Sequence, residues 1–372
     1  MKMSAALMMA TIGSLSLPAM AGYGTPSEGW GFVQDDWQVV CDNTHTCRVA
    51  GYSSDASIDK PASVLFTVSP KITTPKAQIQ LASKASKDKA ELWLNNKNYG
   101  VLQPNKEDSL LYDLSAEQTQ ALLDHARVAT KIEIRVGDNY WQISDKGMSA
   151  VLLKLDDVQG RVGTPIALVS KNNPNRQRPK AALPKPIIKK AFVYSAKDNK
   201  TLAPSKLAYF QKNIDKWVDI NAEQLIGSKD IMGDCELINP KTETYQRMSE
   251  YGSTMLGWDF IPIDDSYTLA AHSCWLGAYN SSNGYWLIDN AKPSKPTLIT
   301  TAGNDYFDGE ISAIHKDRGI GDCWNRTAWT WNGEIFAKSK ESSTGMCRGF
   351  AGGAWDLPTY VSQVIGNNAK AQ

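Results

Sequence analysis

The stretch WQVVCDNTHTCRVAGY (residues 37–52) contains two cysteines separated by five residues, one of them a histidine. From Trp37 to Cys41 apolar residues recur at the two-residue period of a strand, and a second strand resumes at Arg48. The intervening DNT is typical of a turn, because these side chains hydrogen-bond their own backbone. The stretch therefore predicts a β-hairpin whose ends are joined by a disulfide between Cys41 and Cys47.

A metal site is the alternative to a disulfide at this pair of cysteines. The two thiolates would supply half of a tetrahedral site, and His45 and Asp42 would have to turn inward to complete the four ligands. In an oxidising compartment, cysteines are more simply explained as bonded to one another. The choice therefore depends on where the protein folds, and we predict a disulfide with no metal and no cofactor.

The first residues have the pattern of a secretory signal peptide. One lysine, an apolar stretch of mostly small residues and the triplet Ala19-Met20-Ala21 occur in that order, which predicts cleavage after Ala21. An uncleaved membrane anchor is the alternative, but the apolar stretch is shorter than the roughly 20 residues that a bilayer requires. We therefore expect a periplasmic or secreted protein that is not transmembrane after cleavage.

Export implies that the six cysteines form disulfides, and the absence of a C-x-x-C pair argues against a zinc or redox motif. The dipeptide Asn332-Gly333 lies between two β-rich runs, which predicts a hairpin whose outer ends are joined by Cys323 and Cys347. Elimination then pairs Cys235 with Cys274, although four cysteines allow three connectivities.

Residues 171–190, KNNPNRQRPKAALPKPIIKK, divide the chain. They contain seven basic residues, four prolines and no acidic residue, which is typical of an extended, self-repelling linker. Such a linker could contact anionic lipid or polysaccharide, or act as a solvated spacer. The predicted parts are a signal peptide (1–21), an N-terminal β-rich domain (22–170), the linker, a C-terminal Trp-rich β domain (191–366) and a disordered tail (367–372).

Hydrophobic patterning predicts a mainly β protein with a few helices, a β-rich α+β fold of two disulfide-bearing domains. Ser115 followed by Gln118 forms a capping box at the start of one helix. Residues 149–158 and 203–225 have helical spacing and predict two more helices. Strands of the N-terminal domain are predicted in SVLFTVSP, AQIQLAS, AELWLNN, TKIEIRVG and NYWQIS, which predict a small sandwich or barrel-like sheet.

Few classes of chemistry are indicated. The net charge of +1 combines a basic linker with two mildly acidic flanking regions, so nucleic acid is not an expected partner. No G-x-S-x-G, H-E-x-x-H or P-loop motif is present. His125, His272 and His315 are scattered, and each is a candidate general base only with partners distant in sequence.

Tryptophan is the unusual component, since eight of the twelve occur at or after Trp217. Such side chains either anchor ligands and partners or fill the core of small β domains. The alternation in WTW places Trp329 and Trp331 on one sheet face. The candidate aromatic binding residues are Trp275, Tyr279, Trp329 and Trp331.

A polar group surrounds the predicted Cys323–Cys347 bond. Closure of this disulfide would hold Asp322 near Arg348, with Arg318 in reach. One interpretation is an arginine-lined anion pocket, because guanidinium groups bind carboxylate or phosphate with two hydrogen bonds. The other interpretation, which we favour, is an internal ion pair that fixes the loops.

Several of these motifs, in this order, resemble the bacterial domain-of-unknown-function family 1176. They are CDNTHTCRVAGY, DKGMSAVLLKLDDVQGRVGTPIAL, CWLGAYN, RGIGDC, WTWNGEIF and CRGFAGGAW. The opening pattern W-x-V-x-C followed by a second cysteine also resembles, more faintly, the invasion-associated locus B proteins. The resemblance implies an exported bacterial envelope protein, and it supplies no activity or catalytic residue.

Our functional prediction is a non-enzymatic binding or interaction module for an envelope protein or glycan. The alternative is a cell-wall or ester hydrolase whose site is hidden by sequence distance, with His272 or His315 as the base. A structural spacer between membrane-associated proteins is a third hypothesis. The oligomeric state is not predicted by the sequence.

Overall fold

A computed structural model of the chain describes residues 29–55, 59–82, 89–218 and 235–366. Within these ranges the protein is mainly β, with several antiparallel sheets and four α-helices, which confirms the predicted fold class. The predicted signal peptide (1–21) and tail (367–372) lie outside the described residues. Among the described residues, no helix has the length and hydropathy needed to cross a membrane.

The first half of the chain forms two antiparallel sheets that pack face to face. The seven-stranded sheet consists of β1 (Trp30–Gln34), β2 (Trp37–Cys41), β3 (Cys47–Tyr52), β4 (Ala62–Val68), β5 (Lys76–Leu81), β8 (Gln103–Pro104) and β9 (Leu111–Asp113), in the order β1-β2-β3-β4-β5-β9-β8. The four-stranded sheet consists of β6 (Ala90–Leu94), β7 (Lys97–Val101), β10 (Ile132–Val136) and β11 (Asn139–Ile143), in the order β11-β10-β6-β7.

Period-two alternation explains this sandwich. Phe66 and Ile79 of the larger sheet and Leu92 and Ile134 of the smaller sheet are completely buried and belong to one core. Neighbouring residues on each strand point to the opposite face, as the pleat requires. All five strand segments predicted for this half are therefore confirmed.

Two predicted helices of this half are also confirmed. Helix α1 (Ala116–His125) begins with a capping box, in which the side chains of Ser115 and Gln118 each bond the other's backbone N–H. Helix α2 (Met148–Val158) buries Leu152 completely against the sandwich core.

A buried ion pair shapes the loop that follows α2. The Asp156 carboxylate accepts backbone N–H bonds from residues 168–170 at 2.8–3.1 Å, and Arg161 Nε lies 3.7 Å from Asp156 Oδ1. The Arg161 guanidinium also donates to the backbone carbonyls of Ile72 and Ile166. Burial lowers the pKa of Arg161, but these acceptors satisfy the charged group.

Residues 171–190 run along the sandwich. Backbone N–H groups of Gln177 and Leu183 donate to the carbonyls of Val162 (2.8 Å) and Thr44 (3.1 Å). The segment ends in β12 (Ile187–Lys189), which pairs in parallel with β22 (Gln363–Ile365) near the end of the chain. Most side chains of the segment are exposed, as expected for a solvated linker, but these backbone hydrogen bonds hold parts of it against the sandwich. Its role as a spacer stays a prediction. The domain boundaries at this segment remain a prediction.

The second half contains three layers: helices, a four-stranded sheet and a five-stranded sheet. The helices are α3 (Pro204–Trp217) and α4 (Glu243–Glu250). The four-stranded sheet consists of β13 (Asp259–Pro262), β14 (Tyr267–Leu276), β15 (Ser281–Asp289) and β16 (Thr297–Gly303). The five-stranded sheet consists of β17 (Asp305–Phe307), β18 (Glu310–Lys316), β19 (Trp324–Trp331), β20 (Phe336–Ser343) and β21 (Leu357–Val361).

Each face of the four-stranded sheet has its own core. Phe210 and Ile214 of α3 pack with Trp286 on one face, and Leu269 packs with Ile311 of the five-stranded sheet on the other. Helix α3 begins one residue after the predicted start, and it ends at Trp217. Residues 219–225 of the predicted helix lie outside the described residues.

Disulfide bonds join Cys41 to Cys47, Cys235 to Cys274 and Cys323 to Cys347, which are the pairs inferred from the sequence. The third bond joins the outer ends of the β19–β20 hairpin. This hairpin turns at Asn332-Gly333 as predicted, with Gly333 at a positive φ of 101°.

The two halves share a fourth core on the outer face of the seven-stranded sheet. Tyr52 and Leu65 of that face pack against Phe350, Trp355 and Leu357, which belong to the C-terminal half. The indole N–H of Trp355 donates to Ser63 Oγ at 2.7 Å in a buried contact. We call residues 344–361, which form this contact, the docking segment.

Two further polar contacts hold the docking segment. Asn43 forms a pair of hydrogen bonds with the backbone of Val361, at 3.0 Å through its Nδ2 and 2.7 Å through its Oδ1. Arg348 Nη2 donates to Asp36 Oδ1 at 2.9 Å. The two halves therefore join through a mixed apolar and polar interface.

We expect Trp355→Phe to lower the free energy of unfolding by about 2 kcal/mol, because it removes a buried hydrogen bond and leaves a void beside Ser63. Urea denaturation of the oxidised protein measures this change. Trp324→Phe is the matched control, since Trp324 is only half-buried and also loses one indole hydrogen bond, to Gly321. Equal destabilisation by both substitutions would contradict the proposed importance of the interface.

Candidate functional site

A cleft of about 310 Å³ opens on the inner face of the five-stranded sheet, where β18, β19 and β20 lie side by side. Ala302 of the four-stranded sheet contributes to its wall. We call it the His315 cleft and define it by the residues that supply its chemistry: His315, Asn325, Thr327, Trp329, Glu341 and Ser343.

The register of the strands explains why these residues meet. His315 of β18 is opposite Asn325 of β19, which in turn is opposite Ser343 of β20. Thr327 is opposite Glu341 in the same way. Directly opposed residues of antiparallel strands share a face, so the polar side chains form rows across three strands.

His315 forms the buried floor of the cleft. Its Nε2 lies 2.8 Å from the carbonyl oxygen of Ala302, and the ring stacks on Trp275 at 5.8 Å between centroids. A carbonyl oxygen only accepts, so Nε2 carries the hydrogen and Nδ1 of the neutral ring is an acceptor. Within the described residues, Nδ1 is buried without a hydrogen-bond partner.

The rim of the cleft is more exposed and carries both charges. Lys338 Nζ donates to Glu341 Oε2 at 2.7 Å, and both side chains are partly exposed. Asn325 Nδ2 donates to Asp317 Oδ1 at 2.5 Å, which fixes the amide at one end of the cleft. The exposed ion pair contributes little to stability, so Glu341 is free to exchange partners.

The structure brings several of the predicted aromatic residues to this region. Trp329 lines the cleft, Trp275 covers His315, and the exposed Tyr279 donates its hydroxyl to the backbone carbonyl of Asp317 at 3.3 Å. Trp331 is completely buried between Tyr267 and Phe336, so its prediction as a binding residue is wrong. Period-two alternation placed it correctly beside Trp329, but one end of that face is closed by the core.

All eight C-terminal tryptophans are at least half-buried. Five are half-buried, and three are buried, namely Trp286, Trp331 and Trp355. Most of these side chains therefore contribute to packing, and Trp329 is the one that lines the His315 cleft.

The arginines of the second candidate site are each paired with carboxylates. Arg318 donates from Nε and Nη2 to the two oxygens of Asp322, at 2.7 and 2.5 Å. Arg348 instead turns toward the other half and contacts Asp36 and Asp55. Asp322 lies near Arg348 in the fold, as expected, since it accepts the backbone N–H of the residue that follows Arg348. The Arg348 guanidinium itself meets two carboxylates across the interface, and Arg318 is the arginine that pairs with Asp322.

Asp322 fixes two loops at once. Its buried carboxylate also accepts the backbone N–H of Gly349 at 2.7 Å, and Arg318 reaches the Cys347 carbonyl at 3.2 Å. The Arg318 hydrogen bonds lower the pKa of Asp322 and raise that of Arg318. This geometry matches the internal ion pair that we favoured over an anion pocket.

The first hairpin does not have the ligands of a metal site. Both thiols are in the Cys41–Cys47 bond, Asp42 accepts from Thr44 and Arg48, and His45 Nδ1 lies 2.9 Å from the Ala181 carbonyl. A cavity of about 270 Å³ beside this hairpin is lined in part by Trp30 and the disulfide.

Four residues of the cleft were not found from the sequence: Asn325, Thr327, Glu341 and Ser343. A signal was present, because Asn325 and Thr327 continue the alternation of Trp329 at two-residue spacing. The pairing of β19 with β20 then adds Glu341 and Ser343. Recognising the row required this register in addition to the alternation.

We expect Asp322→Asn to reduce the acid sensitivity of unfolding. The folded pKa of Asp322 lies below its unfolded value, so its stabilisation is complete above the ordinary carboxyl pKa and is lost as the pH falls through the folded pKa. The difference in unfolding free energy between wild type and variant, measured with urea, should be largest near pH 7 and shrink toward pH 3. Asp356→Asn, in an exposed ion pair with Lys340, is the control; a pH-independent difference for Asp322→Asn would contradict this account.

Comparison with known proteins places the chain in a family without giving an activity. The uncharacterised protein YpfG of Escherichia coli (strain K12) is 23% identical over 355 residues, covering 86% of this chain and 90% of that protein. No solved structure matches the chain. The likeness of the first hairpin to invasion-associated locus B proteins is not shown by these matches and stays a prediction. The model of the DUF1176 family, described as a protein of unknown function, matches residues 32–362, so the chain belongs to this family.

Proposed function

We propose that this protein is an exported envelope protein that binds a glycan in the His315 cleft without transforming it. The observation that carries the proposal is the position of the half-buried Trp329 beside a row of amide, hydroxyl and carboxylate side chains. Ligand sites typically combine an apolar or aromatic wall with a few polar groups that fix orientation.

This combination matches the chemistry of a sugar. One face of a sugar ring is apolar and can lie against the indole of Trp329, while its hydroxyl groups can bond Thr327, Asn325 and Glu341. A cleft of about 310 Å³ is at the lower end of the usual range for small-ligand sites, so it suits a sugar unit better than a folded protein.

An unpaired atom of the cleft floor supports the same proposal. A buried polar atom without a partner costs about 1–3 kcal/mol, and such atoms often mark sites for a ligand or water. His315 Nδ1 is an acceptor without a partner among the described residues. It therefore suits a hydroxyl-rich ligand.

Hydrolysis remains the second candidate, because His315, Ser343 and Glu341 line one cleft. A serine hydrolase requires the imidazole to bond the serine and an orienting acid. Among the described contacts, His315 bonds the Ala302 carbonyl and Glu341 bonds Lys338. These bonds favour binding over hydrolysis, and the assay below distinguishes the two.

Export rests on three observations: the predicted signal peptide, the family resemblance and the three disulfides. Structural disulfides persist in oxidising compartments and are rare in the bacterial cytosol. These observations support the proposal that the protein is periplasmic or secreted.

We expect Trp329→Leu to weaken co-sedimentation with purified peptidoglycan by about tenfold. The loss of an aromatic anchor typically costs about 1 kcal/mol or more of binding free energy. Trp217→Leu is the control: Trp217 is also half-buried, but it packs on the opposite side of the four-stranded sheet. Melting temperatures of both variants separate lost binding from lost stability.

Absence of binding by the wild-type protein to peptidoglycan, together with an empty pull-down from periplasmic extract, would sink the binding proposal. Release of soluble fragments by wild type, but not by His315→Phe, would instead establish hydrolysis. Equal loss of binding in Trp329→Leu and Trp217→Leu would show that binding does not depend on the His315 cleft.

We also expect protein purified from the periplasm without reductant to begin after Ala21 and to be six hydrogens lighter than the reduced mature chain, as three disulfides require. Intact-mass spectrometry before and after reduction measures both properties. An uncleaved leader or free thiols would contradict export.

A further inference from the structure

A second concave surface lies on the N-terminal sandwich, distant in sequence from the His315 cleft. It encloses about 790 Å³ between the loop that follows α2 and the linker. Three cationic side chains line it, and we call it the basic groove, defined by Lys71, Arg176 and Arg178. Pro165 and Ile166 supply part of its apolar wall.

The three cations are exposed, and none of them forms an ion pair with another described residue. The neighbouring carboxylates are already engaged. Asp156 is bonded to backbone N–H groups and Arg161, and Asp157 accepts from Lys154 and from Gln177. The groove therefore has uncompensated positive charge.

Two glycines of the loop after α2 allow the linker, with its arginines, to lie close to the sandwich. Gly160 and Gly163 have positive φ values of 68° and 71°, and a Cβ on them would lie 2.3 Å from the Arg178 carbonyl oxygen and 2.5 Å from that of Asn173. Any larger residue would push the linker away from the sandwich. The backbone N–H of Gln177, between the two arginines, is bonded to the Val162 carbonyl.

Fixing like charges together costs free energy unless a counter-charge is near. Six of the seven basic residues of the linker, all except Lys190, make no ion pair among the described residues. Backbone hydrogen bonds and the two glycines nevertheless hold these basic side chains in place. This arrangement favours an anionic partner that supplies the missing counter-charge.

We propose that the basic groove and the adjoining linker dock on an anionic phospholipid surface. Exposed apolar side chains accompany the cations: Ile72 is 40% exposed, Leu183 46% and Ile187 62%. Basic residues interspersed with exposed apolar ones bind the membrane interface, where the cations meet headgroups and the apolar groups enter the acyl boundary. A soluble polyanion would satisfy the charges but leave the apolar side chains in water.

Vesicle co-sedimentation of the full mature protein tests this proposal. Wild type should bind phosphatidylglycerol-containing vesicles and not pure phosphatidylcholine vesicles, and binding should weaken as salt is raised. Since each basic residue near an anionic surface contributes about a factor of five, the triple variant K71E/R176E/R178E should bind at least about 100-fold more weakly.

The matched control is K106E/K241E/K295E, which makes the same change in net charge at three exposed lysines outside the groove. Because these lysines do not line the groove and exposed charges are screened by salt, we expect a loss of about twofold or less. The milder variant K71Q/R176Q/R178Q provides the same comparison if charge reversal impairs folding, which the melting temperature reports.

Equal weakening by the groove variant and the control would overturn the proposal, as would equal binding to both kinds of vesicle. Binding to inorganic polyphosphate in solution without binding to vesicles would also overturn it, and would assign the groove to a soluble polyanion. The outcome is independent of the His315 cleft, because Trp329→Leu should leave vesicle binding unchanged.

Discussion

The docking of residues 344–361 on the outer face of the seven-stranded sheet is the contact on which the rest of the structure depends. The sheet buries one face in its own sandwich, and Tyr52 and Leu65 of the other face would be exposed to water without this segment. The buried hydrogen bond from Trp355 to Ser63 makes the packing specific. A displaced segment would leave the indole N–H without this acceptor and the Ser63 oxygen without this donor. Apolar burial drives the contact and the polar pair sets its position.

The same contact supports the candidate site. Strand β21 belongs to the docking segment, and its Thr359 lines the His315 cleft while Val361 is held by Asn43 of the first hairpin. Thr359 also packs against Gly29, where a Cβ would lie 2.1 Å from the Thr359 carbonyl oxygen. Two disulfides flank this arrangement: Cys41–Cys47 adjoins Asn43, and Cys323–Cys347 adjoins Arg348. Oxidation therefore stabilises the interface from both sides, and a reduced chain would lose constraints on both halves.

The sequence predicts the local structure well, because local structure depends on near neighbours. Alternation identified the strands, the Ser115 capping box identified α1, and Asn332-Gly333 identified the hairpin. What it could not predict are contacts between residues far apart in the chain. Arg348 meets Asp36 across 312 residues, and no local pattern indicates that pairing.

The errors at the candidate site have the same origin. Trp329 and Trp331 have identical alternation, yet one lines a cleft and the other is buried, because the second sheet covers only part of the face they share. Composition also predicted only part of the linker's behaviour. Its prolines and like charges indicated an extended chain, and it is extended, but its anchoring depends on Gly160 and Gly163 in a different segment.

The exchange rate of the Trp355 indole N–H with deuterium, followed by NMR in the oxidised protein, tests the docking contact most directly. If the indole is buried against Ser63, exchange requires the halves to separate, and it should be slower by orders of magnitude than in a free indole. Exchange at the rate of a solvent-exposed tryptophan would show that the docking segment is not seated on the sheet, and would contradict the structure described for the interface and for the cleft that it supports.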